Sequence, residues 1–344
     1  MRSRGARPVD PARLLELIDG FARIRTAIFG DLIVDEFIYG DIARVSREAP
    51  VLILNYDSTE IVPGGAGNAA TNVAALGGSA VAVGVTGRDD SARRLLDALR
   101  RSVDVRSVLN ARSVRTPTKT RILAGGIHSA KQQVVRIDRP AGDGLTEGDR
   151  RAIATRLLKA AARCDALLVS DYGSGMVTPA LVAQAQKSLR RRSRRPSPVL
   201  VDSRYSLLRF RGMTTCTPNE SEVEQLFGIR IGENTRVLER AGRELLRRTR
   251  ASAVLVTRGS RGMALFEPDR STVHIPIVGS DQIADVTGAG DTVIATMTLA
   301  LAAGASFIEA AHLANYAGGL VVMKRGTATI SADELRQAVL TDRE

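Results

Sequence analysis

Short apolar runs alternate with helix-like segments along most of the chain. Thr26–Asp31 (TAIFGD) and Ala80–Gly87 (AVAVGVTG) are compact apolar runs bounded by glycine or aspartate, which is typical of strands covered on both faces. Between them, AATNVAALGG carries small residues and closes on two glycines, a common way for a helix to end. Ser91–Arg101 then has the period of an amphipathic helix. The N-terminal part therefore contains strands that alternate with helices.

From residue 146 onward the alternation becomes regular. The predicted helices are Thr146–Ala162, Pro179–Arg190, Glu220–Phe227, Thr235–Arg248, Ala289–Ala303, Phe307–Met323 and a last one near Ser331–Val339. The apolar runs ALLVSDYG, PVLVDS, TTCTPN and AVLVTRG predict strands, and GMALFEP with STVHIPIV predicts a hairpin-like pair. Strands that alternate with helices form mainly parallel sheets. The predicted fold class is α/β, with a mainly parallel sheet covered by helices on both faces.

Two β-rich regions, at about 35–61 and 118–138, do not follow this rule. Neither region contains the helix that would carry the chain across to a parallel neighbour. We therefore expect these strands to form a small antiparallel sheet that projects as a lid. Because neither an internal repeat nor a long linker interrupts the chain, we expect residues 1–344 to form a single domain.

Composition narrows the class of protein. Of the 344 residues, 44% are hydrophobic and 25% are charged, as in ordinary soluble proteins. The net charge of +12 favours anionic ligands, while the absence of Trp argues against a base-stacking surface. Cys164 and Cys216 are far apart, as expected in a reducing compartment, and the longest apolar run is shorter than the ~20 residues that cross a bilayer. We expect a cytoplasmic protein that binds neither nucleic acid nor membranes.

Four turns rich in glycine or aspartate follow predicted strands. They are Gly30-Asp31, PGGAGN at 63–68, PNESE at 218–222 and DVTGAGD at 285–291. In an open α/β sheet, ligands bind beyond the carboxyl ends of the strands. We therefore expect the four turns to converge on one site.

Other nucleotide sites and histidine chemistry fit the sequence less well. Gly65-Ala66-Gly67-Asn68-Ala69-Ala70 matches G-x-G-x-x-A, but the next strand does not end in the acidic residue that a dinucleotide site needs. An oxidoreductase is therefore the last alternative. No Gly-Lys-Ser/Thr occurs, which excludes a P-loop, and the three histidines are isolated in the sequence, which argues against a His-based metal site or a catalytic triad.

The remaining interpretation is phosphoryl transfer without a P-loop, which needs donors around the phosphoryl group, a divalent ion and a base on the acceptor hydroxyl. The N–H groups of Gly288–Gly290 precede an apolar helix and can hold an anion, while Asp291 accepts the proton. Asn219 and Glu222, where another helix begins, suit Mg²⁺ held mostly through water. The structural alternative is that Asp291 only compensates the helix dipole and Glu222 only caps a helix.

Several of these motifs occur together in one known family. DVTGAGD, PGGAGN and PNESE stand in the same order as in the ribokinase-like (PfkB-type) sugar kinases, which the chain resembles from Gly30 to Ser331. Within that family it is most similar to the D-glycero-β-D-manno-heptose-7-phosphate kinases, through ARVSREAPV, TKTR, QQVVRID, VSDYGSG and KRGTATIS. The resemblance implies a ribokinase-like fold and ATP-dependent phosphorylation of the anomeric hydroxyl of a heptose 7-phosphate, a step in lipopolysaccharide precursor synthesis.

The resemblance also implies roles for individual residues. Asp291 would be the catalytic base, and the anion hole would comprise Gly288, Ala289 and Gly290. The ATP and Mg²⁺ side would comprise Asn219, Glu222, Thr257 and Gly259. Contacts with the sugar would come from Asp35, Gly64, Gly65, Asn68 and Asp171. A monovalent cation such as K⁺ would lie near Asp285, Thr287 and the Gly326 segment.

Basic residues on the lid segments predict that the acceptor carries a phosphate of its own. These residues are Arg44, Arg47, Lys119, Arg121 and Arg136. We expect about half of them only to solubilise exposed strands. Arg44, Arg121 and Arg136 are the predicted contacts with the sugar phosphate, because a guanidinium binds phosphate through paired hydrogen bonds.

The chain departs from the heptose kinase pattern at two places. Asp202-Ser203-Arg204 stands where those kinases usually carry Asp-Pro-Lys, and Ser174 stands where they usually carry lysine. Two alternatives therefore stay open: a kinase for another sugar or sugar phosphate, and a family member without turnover that binds nucleotide or sugar. Since the sequence stops at Glu344, we expect a separate enzyme to perform the following nucleotidyl transfer. Exposed lid edges predict a homodimer.

Overall fold

The computed structural model describes residues 9–125, 131–142, 144–189, 196–278, 286–324 and 326–342. Within these ranges the strands are β1 Arg25–Gly30, β2 Leu32–Val45, β3 Leu52–Gly65, β4 Ser79–Val83, β5 Val85–Thr86, β6 Val103–Asp104, β7 Leu109–Asn110, β8 Thr118–Gly125, β9 Gln132–Arg139, β10 Ala166–Asp171, β11 Val199–Ser203, β12 Thr215–Cys216, β13 Ala253–Thr257, β14 Met263–Phe266 and β15 Val273–Ile275. The helices are α1 Pro11–Gly20, α2 Ala66–Ala75, α3 Asp90–Leu99, α4 Glu147–Ala161, α5 Pro179–Ser188, α6 Glu220–Phe227, α7 Thr235–Thr249, α8 Ala289–Ala302, α9 Phe307–Val322 and α10 Ala332–Thr341.

The main sheet has the strand order β15-β14-β13-β12-β11-β10-β1-β4-β6. All neighbours from β13 to β6 pair in parallel, and β14 and β15 extend the sheet as an antiparallel hairpin. The strand direction follows from the connections, since each parallel step needs a long crossover whereas a tight turn joins antiparallel neighbours. The predicted α/β class is therefore confirmed.

Helices cover both faces of this sheet, and each face has its own apolar core. One core joins alternate strand residues such as Ile28 and Leu168 to helices α1, α2, α3, α8, α9 and α10. The other joins Phe29 and Val169 to α4, α5, α6 and α7. Successive residues of β1 and β10 thus point to opposite cores, which explains why these strands read as unbroken apolar runs. None of the helices in the described ranges is long and apolar enough to span a membrane.

The lid is a separate four-stranded sheet with the order β3-β2-β8-β9. Two antiparallel hairpins, β2 with β3 and β8 with β9, join through a parallel pairing of β2 with β8. The predicted lid segments therefore form one sheet, and the structure adds the parallel seam at its centre. The two longest lid strands, β2 and β3, each have one end at the main sheet and the other end projecting away from it. This follows because β2 continues from β1 after a single residue and β3 ends where α2 begins.

Two local features differ from the sequence-based expectations. Helix α1 was not predicted, although Asp10 caps it by accepting a hydrogen bond from the Ala12 N–H, and Pro11 occupies its first turn. The run expected as one strand over 80–87 is divided at Gly84, where an added Cβ would lie 2.7 Å from the carbonyl oxygen of Gly30. Close approach of two backbones ends β4 there, and the short β5 pairs with β7 instead.

Candidate active site

A cavity of about 460 Å³ lies where the carboxyl ends of the main strands meet the lid. Three of the four predicted turns contribute to its wall, through Gly65 and Asn68, through Asn219 and Glu222, and through the 286–291 segment. The Gly30-Asp31 turn lies next to it and positions a neighbouring loop, since Asp31 accepts a 2.7 Å hydrogen bond from the Tyr172 N–H. Three of the four turns therefore meet at one cavity as expected, whereas the Gly30-Asp31 turn does not line it.

Helix α8 begins in this cavity with an unusual cap. Gly288 adopts a left-handed conformation at the N-cap, with φ of +80°, and an added Cβ would lie 2.6 Å from the Asn68 amide nitrogen. Glycine is required there on both grounds. The Ala289 N–H donates to the Val286 carbonyl at 3.3 Å, whereas the first-turn N–H groups of Gly290 and Asp291 have no preceding helical turn that could accept their hydrogen bonds. The start of α8 can therefore hold an anion; Asp285, at the beginning of the motif, lies outside the described residues.

Asp291 sits in the first turn of α8 and is 5% exposed. Its Oδ2 accepts a 2.7 Å hydrogen bond from Asn68 Nδ2, whereas its buried Oδ1 has no hydrogen-bond partner among the described residues. Burial raises the pKa of Asp291 to about 7; the Asn68 bond opposes the rise, the negative charge of Asp35 adds to it, and Lys119 opposes it. A carboxylate with one oxygen tethered and one open, titrating near neutral pH, is suited to accept a proton.

A buried chain of hydrogen bonds fixes the orientation of the Asn68 amide. Asn72 Nδ2 donates to the Asn68 carbonyl at 3.0 Å and to Asn68 Oδ1 at 3.1 Å. Thr292 Oγ1 donates to Asn72 Oδ1 at 2.7 Å. Because the Asn68 amide oxygen accepts from Asn72, its nitrogen must face the Asp291 carboxylate. Asn68, predicted as a sugar contact, thus contacts the candidate base, and sequence reasoning did not single out Asn72 or Thr292.

Helix α6 begins on the opposite side of the cavity with a complete capping box. Asn219 Oδ1 accepts from the Glu222 N–H at 2.8 Å, and Glu222 Oε2 accepts from the Asn219 N–H at 2.9 Å. Both side chains, together with Thr257 and Gly259, line the cavity. Burial raises the pKa of Glu222. The pKa of the neighbouring Asp202 is raised well above its usual value by burial and then by the charge of Glu222.

These carboxylates fit a divalent cation. The charge of Glu222 disfavours ionisation of Asp202, and a bound cation would oppose that effect. The described residues contain no cluster of three or more acidic, histidine or cysteine side chains arranged to hold a metal by themselves. An ion here would therefore be bound mainly by phosphate oxygens and water, as is usual for Mg²⁺. From the sequence, Asp202 stood out only as part of Asp202-Ser203-Arg204, which departs from the heptose kinase pattern.

The predicted sugar contacts at the lid side include an ion pair. Arg121 Nη1 on β8 contacts Asp35 Oδ1 on β2, and both side chains are largely buried at the cavity wall. Gly64 lies on β3 opposite Ile33 of β2. It leaves the space that the Asp35 side chain occupies, since an added Cβ would lie 2.1 Å from Asp35 Oδ2. Gly65 lines the cavity directly. Arg121 is thus committed to Asp35.

Besides Gly64, three predicted sugar contacts do not line this cavity, namely Arg44, Arg136 and Asp171. Arg44 is exposed on β2, nine residues beyond Asp35, which corresponds to roughly 30 Å along an extended strand. Its side chain does not line the cavity, because the lid strands are longer than the site they cover. Asp171 is buried behind the cavity, where its Oδ2 accepts from Ser203 Oγ at 2.7 Å and its Oδ1 accepts from the Gly173 N–H at 3.0 Å. It holds two loops together.

Some residues of the cavity wall were not predicted from the sequence. Tyr172 is one, and the negative charge of Asp291 raises its pKa most strongly. The Lys119 ammonium lies 4.9 Å from the centre of the Tyr172 ring. Thr217 Oγ1 and Thr327 Oγ1 also line the cavity and are buried without a hydrogen-bond partner in the described part of the chain. Buried hydroxyls without partners in a cavity wall are available to a ligand.

Comparison with known proteins agrees with this geometry. The family model described as "pfkB family carbohydrate kinase" matches residues 31–334. The chain belongs to the PfkB family of carbohydrate kinases. It is an ATP-dependent sugar kinase by family, and kinases of this family use ATP and Mg²⁺.

Relatives and solved structures refine the family membership. The chain is 40% identical over 314 residues to the bifunctional protein HldE of Geobacter metallireducens; the match covers 91% of this chain and 62% of that protein. The chain thus spans about three-fifths of the length of that relative. Escherichia coli phosphofructokinase-2 in complex with potassium has a TM-score of 0.74 at 22% identity, covering 93% of this chain and 100% of that one. Arabidopsis thaliana ribokinase complexed with ribose and ATP has a TM-score of 0.66 at 19% identity, covering 92% and 98%. At these identities the two structures establish a shared fold.

Proposed function

We propose that this kinase transfers the γ-phosphoryl group of ATP to the anomeric hydroxyl of D-glycero-β-D-manno-heptose 7-phosphate, giving the 1,7-bisphosphate. The observation that carries the phosphoryl-transfer part is the open Oδ1 of Asp291, buried beside the anion-binding start of α8. The choice of heptose rests on the similarity to HldE and on the motifs shared with heptose kinases. The numerous basic residues around the cavity support a phosphorylated acceptor.

The chemistry divides between the two sides of α8's first turn. Asp291 Oδ1 accepts the proton of the sugar hydroxyl as that oxygen forms its bond to the γ-phosphorus. The bond between the γ-phosphorus and the β–γ bridging oxygen breaks, and the electron pair leaves with ADP. The N–H groups of Gly290 and Asp291 stabilise the charge on the equatorial oxygens. The lid excludes water that would otherwise accept the phosphoryl group.

Cations have defined places in this proposal. Glu222 and Asp202 would hold the hydration shell of Mg²⁺, which offsets the charge of the ATP phosphates when bound. Thr287 and the Gly326 segment would contribute to a monovalent cation site beside the anion hole; a potassium complex of the related phosphofructokinase-2 supports this assignment.

The decisive experiment for the substrate is a comparison of acceptors. We expect ADP release that depends on both ATP and heptose 7-phosphate, with phosphorus NMR detecting a new anomeric phosphate. Ribose 5-phosphate, fructose 6-phosphate and unphosphorylated heptose should give much lower kcat/KM. Preferential use of one of these other acceptors would identify a different sugar kinase of the same family, and ATP-dependent binding without turnover would identify a binding protein.

The lid surface supports a homodimer. Large apolar side chains are exposed along the lid strands, namely Ile42, Val45, Leu52, Tyr56, Val134, Val135 and Ile137. Clusters of exposed apolar residues on a sheet are unusual in monomers. Sedimentation equilibrium of the chain and of an Ile42→Lys, Val135→Lys variant tests this proposal, which predicts a dimer that the double substitution dissociates.

A further inference from the structure

A second cavity, also of about 460 Å³, adjoins the active-site cavity. The two cavities share three wall residues, Lys119, Tyr172 and Arg204. The outer wall of the second cavity comes from the end of β9 and from the loops that follow β10 and β11. We call it the side cavity. A ligand that reaches past the shared wall from Asp291 would enter it.

Positive charge predominates in the side cavity. Its basic side chains are Lys119, Arg136, Arg139 and Arg204, and its acidic side chains are Asp31 and Asp138. Both acidic groups are already used. Asp138 accepts two hydrogen bonds from Arg136, of 2.9 and 3.0 Å. Asp31 accepts from the Ser174 hydroxyl and from the Tyr172 N–H, and burial raises its pKa.

The two cations of the shared wall lie in the field of nearby carboxylates without pairing directly with one; the charges of Asp35 and Asp138 act on Lys119 and oppose the effect of burial on its pKa. Within the described residues, neither Lys119 nor Arg204 forms an ion pair, whereas Arg136 is paired with Asp138 and Arg139 lies 3.9 Å from Glu36 Oε2. Burial lowers the pKa of Lys119, so this ammonium is held where its charge is poorly solvated. A cation in this condition gains more from an incoming anion than a solvated surface lysine does.

We propose that the side cavity binds the acceptor's own phosphate through Lys119 and Arg204. This inference rests on the proposed kinase function and specifies its acceptor: a sugar whose phosphate lies at the end opposite the reacting hydroxyl, so that one molecule spans from Asp291 to the side cavity. Arg44 is too far away, and Arg121 and Arg136 already hold carboxylates. The contacts therefore differ from those that the charge pattern of the lid predicted. Ser174 and Arg204, which depart from the heptose kinase pattern, both line this cavity.

The test compares matched losses of positive charge. Arg204→Gln and Lys119→Met each remove one cation of the shared wall. Arg211→Gln removes an exposed cation that lines neither cavity, and serves as the control. Calorimetric titration without turnover measures the Kd for heptose 7-phosphate, for unphosphorylated heptose and for ATP. Because Lys119 also affects Asp291, these binding constants are decisive, and kcat is secondary.

We expect each shared-wall variant to weaken binding of the phosphorylated sugar by about 10- to 100-fold, as for a lost charge-assisted hydrogen bond. Binding of unphosphorylated heptose should change no more than in Arg211→Gln. If the enzyme phosphorylates heptose 7-phosphate but both variants bind it as well as the control does, the side-cavity inference is wrong and the kinase function stands. If no sugar is phosphorylated, the function fails, and titration with inorganic phosphate still decides whether Arg204 and Lys119 form an anion site.

Discussion

Two of the helices that begin at the candidate active site, α6 and α8, have first turns built in opposite ways. At α6, the side chains of Asn219 and Glu222 satisfy each other's backbone N–H groups in a capping box. At α8, the cap is a left-handed glycine without a side chain, and no side-chain hydrogen bond closes the first turn. One helix start satisfies its own polar groups, whereas the other leaves N–H donors and the Asp291 Oδ1 available.

At α6 the polar groups of the helix start stabilise the fold, whereas at α8 they stay available to a ligand. A capping box stabilises a helix whether or not a substrate is present. The open start of α8 leaves polar groups unsatisfied and a carboxylate buried, which destabilises the free protein. Such an arrangement is expected where a charged reactant supplies the missing partners. It predicts that equivalent substitutions at the two helix starts will have different consequences.

The largest expected effect follows from Asp291→Asn. The amide can still accept the Asn68 hydrogen bond but cannot take the hydroxyl proton, so kcat should fall by roughly 10²–10⁴-fold. ATP and sugar binding should stay close to those of the unmodified enzyme. Single-turnover kinetics with separate binding titrations measure both quantities. Retained kcat would mean that Asp291 only compensates the helix dipole.

The same substitution should change stability in a direction that helix capping does not explain. Because burial raises the folded-state pKa of Asp291 to about 7, the folded protein binds a proton more tightly than the unfolded chain. The group therefore destabilises the fold as pH rises from about 4 to above 7. At pH 8 the Asn variant should have a higher Tm than the unmodified enzyme, and the gain should vanish near pH 4. A purely structural Asp291 would give a lower Tm at pH 8.

A second contrast lies within α8, between Gly288→Ala and Gly290→Ala. Gly288 has positive φ, and its Cβ would overlap the Asn68 amide, so alanine should destabilise the protein by about 1–2 kcal/mol or more and displace Asn68. Gly290 lies in helical conformation with nothing within 4 Å of an added Cβ. Alanine there should leave Tm equal or higher but place a methyl group in the cavity and lower kcat. Thermal melts beside kinetics distinguish the two; similar losses of Tm would refute the contrast.

Sequence patterns predicted the start of α8 better than its surroundings. The Gly-Ala-Gly-Asp pattern indicates an anion-binding helix start, because the helix start and its exposed N–H groups both depend on residues that are neighbours in the sequence. The different effects of alanine at Gly288 and at Gly290 depend on the backbone φ and on contact with Asn68, which is more than 200 residues away. The sequence alone does not reveal either. The left-handed backbone occurs at Gly288 and not at Gly290.

Long-range contacts also explain the other differences in the site. Asp35 and Arg121 were both predicted as sugar contacts, but the parallel seam between β2 and β8 turns them into an ion pair. The same seam was not predicted, since strand order depends on contacts between distant segments. Asp171 was also predicted as a sugar contact. Its carboxylate instead accepts a hydrogen bond from Ser203, a contact that the sequence does not reveal. The class of the main sheet was predictable because strands alternate with helices along most of the chain, although its central pairing of β1 with β10 joins segments far apart in the sequence.

A smaller effect is expected at the closed helix start. Glu222→Gln keeps a carbonyl oxygen that can accept from the Asn219 N–H, so the cost in stability should stay within about 0.5–2 kcal/mol. If the carboxylate also orients water on Mg²⁺, the variant should need a higher Mg²⁺ concentration for half-maximal activity. A Mg²⁺ titration measures this shift, with Glu224→Gln on the same helix as the control for charge. An unchanged titration curve would restrict Glu222 to capping.

The smallest effect should come from the hydrogen-bond chain behind Asp291. Thr292→Val removes the hydroxyl that donates to Asn72 Oδ1, which frees the Asn72 amide and weakens its hold on Asn68. Since the Asn68 bond lowers the pKa of Asp291, its weakening should raise that pKa and move the acid limb of the kcat–pH profile upward by a few tenths of a unit. Thr292→Ser should restore the profile. Thr298→Val is the matched control, because Thr298 is buried on the same helix and donates only to the Ile294 carbonyl, at 2.7 Å. If both valine variants lose the same stability but only Thr292→Val shifts the acid limb, the hydrogen-bond chain positions the base. An unshifted limb would show that the hydrogen-bond chain only stabilises the fold.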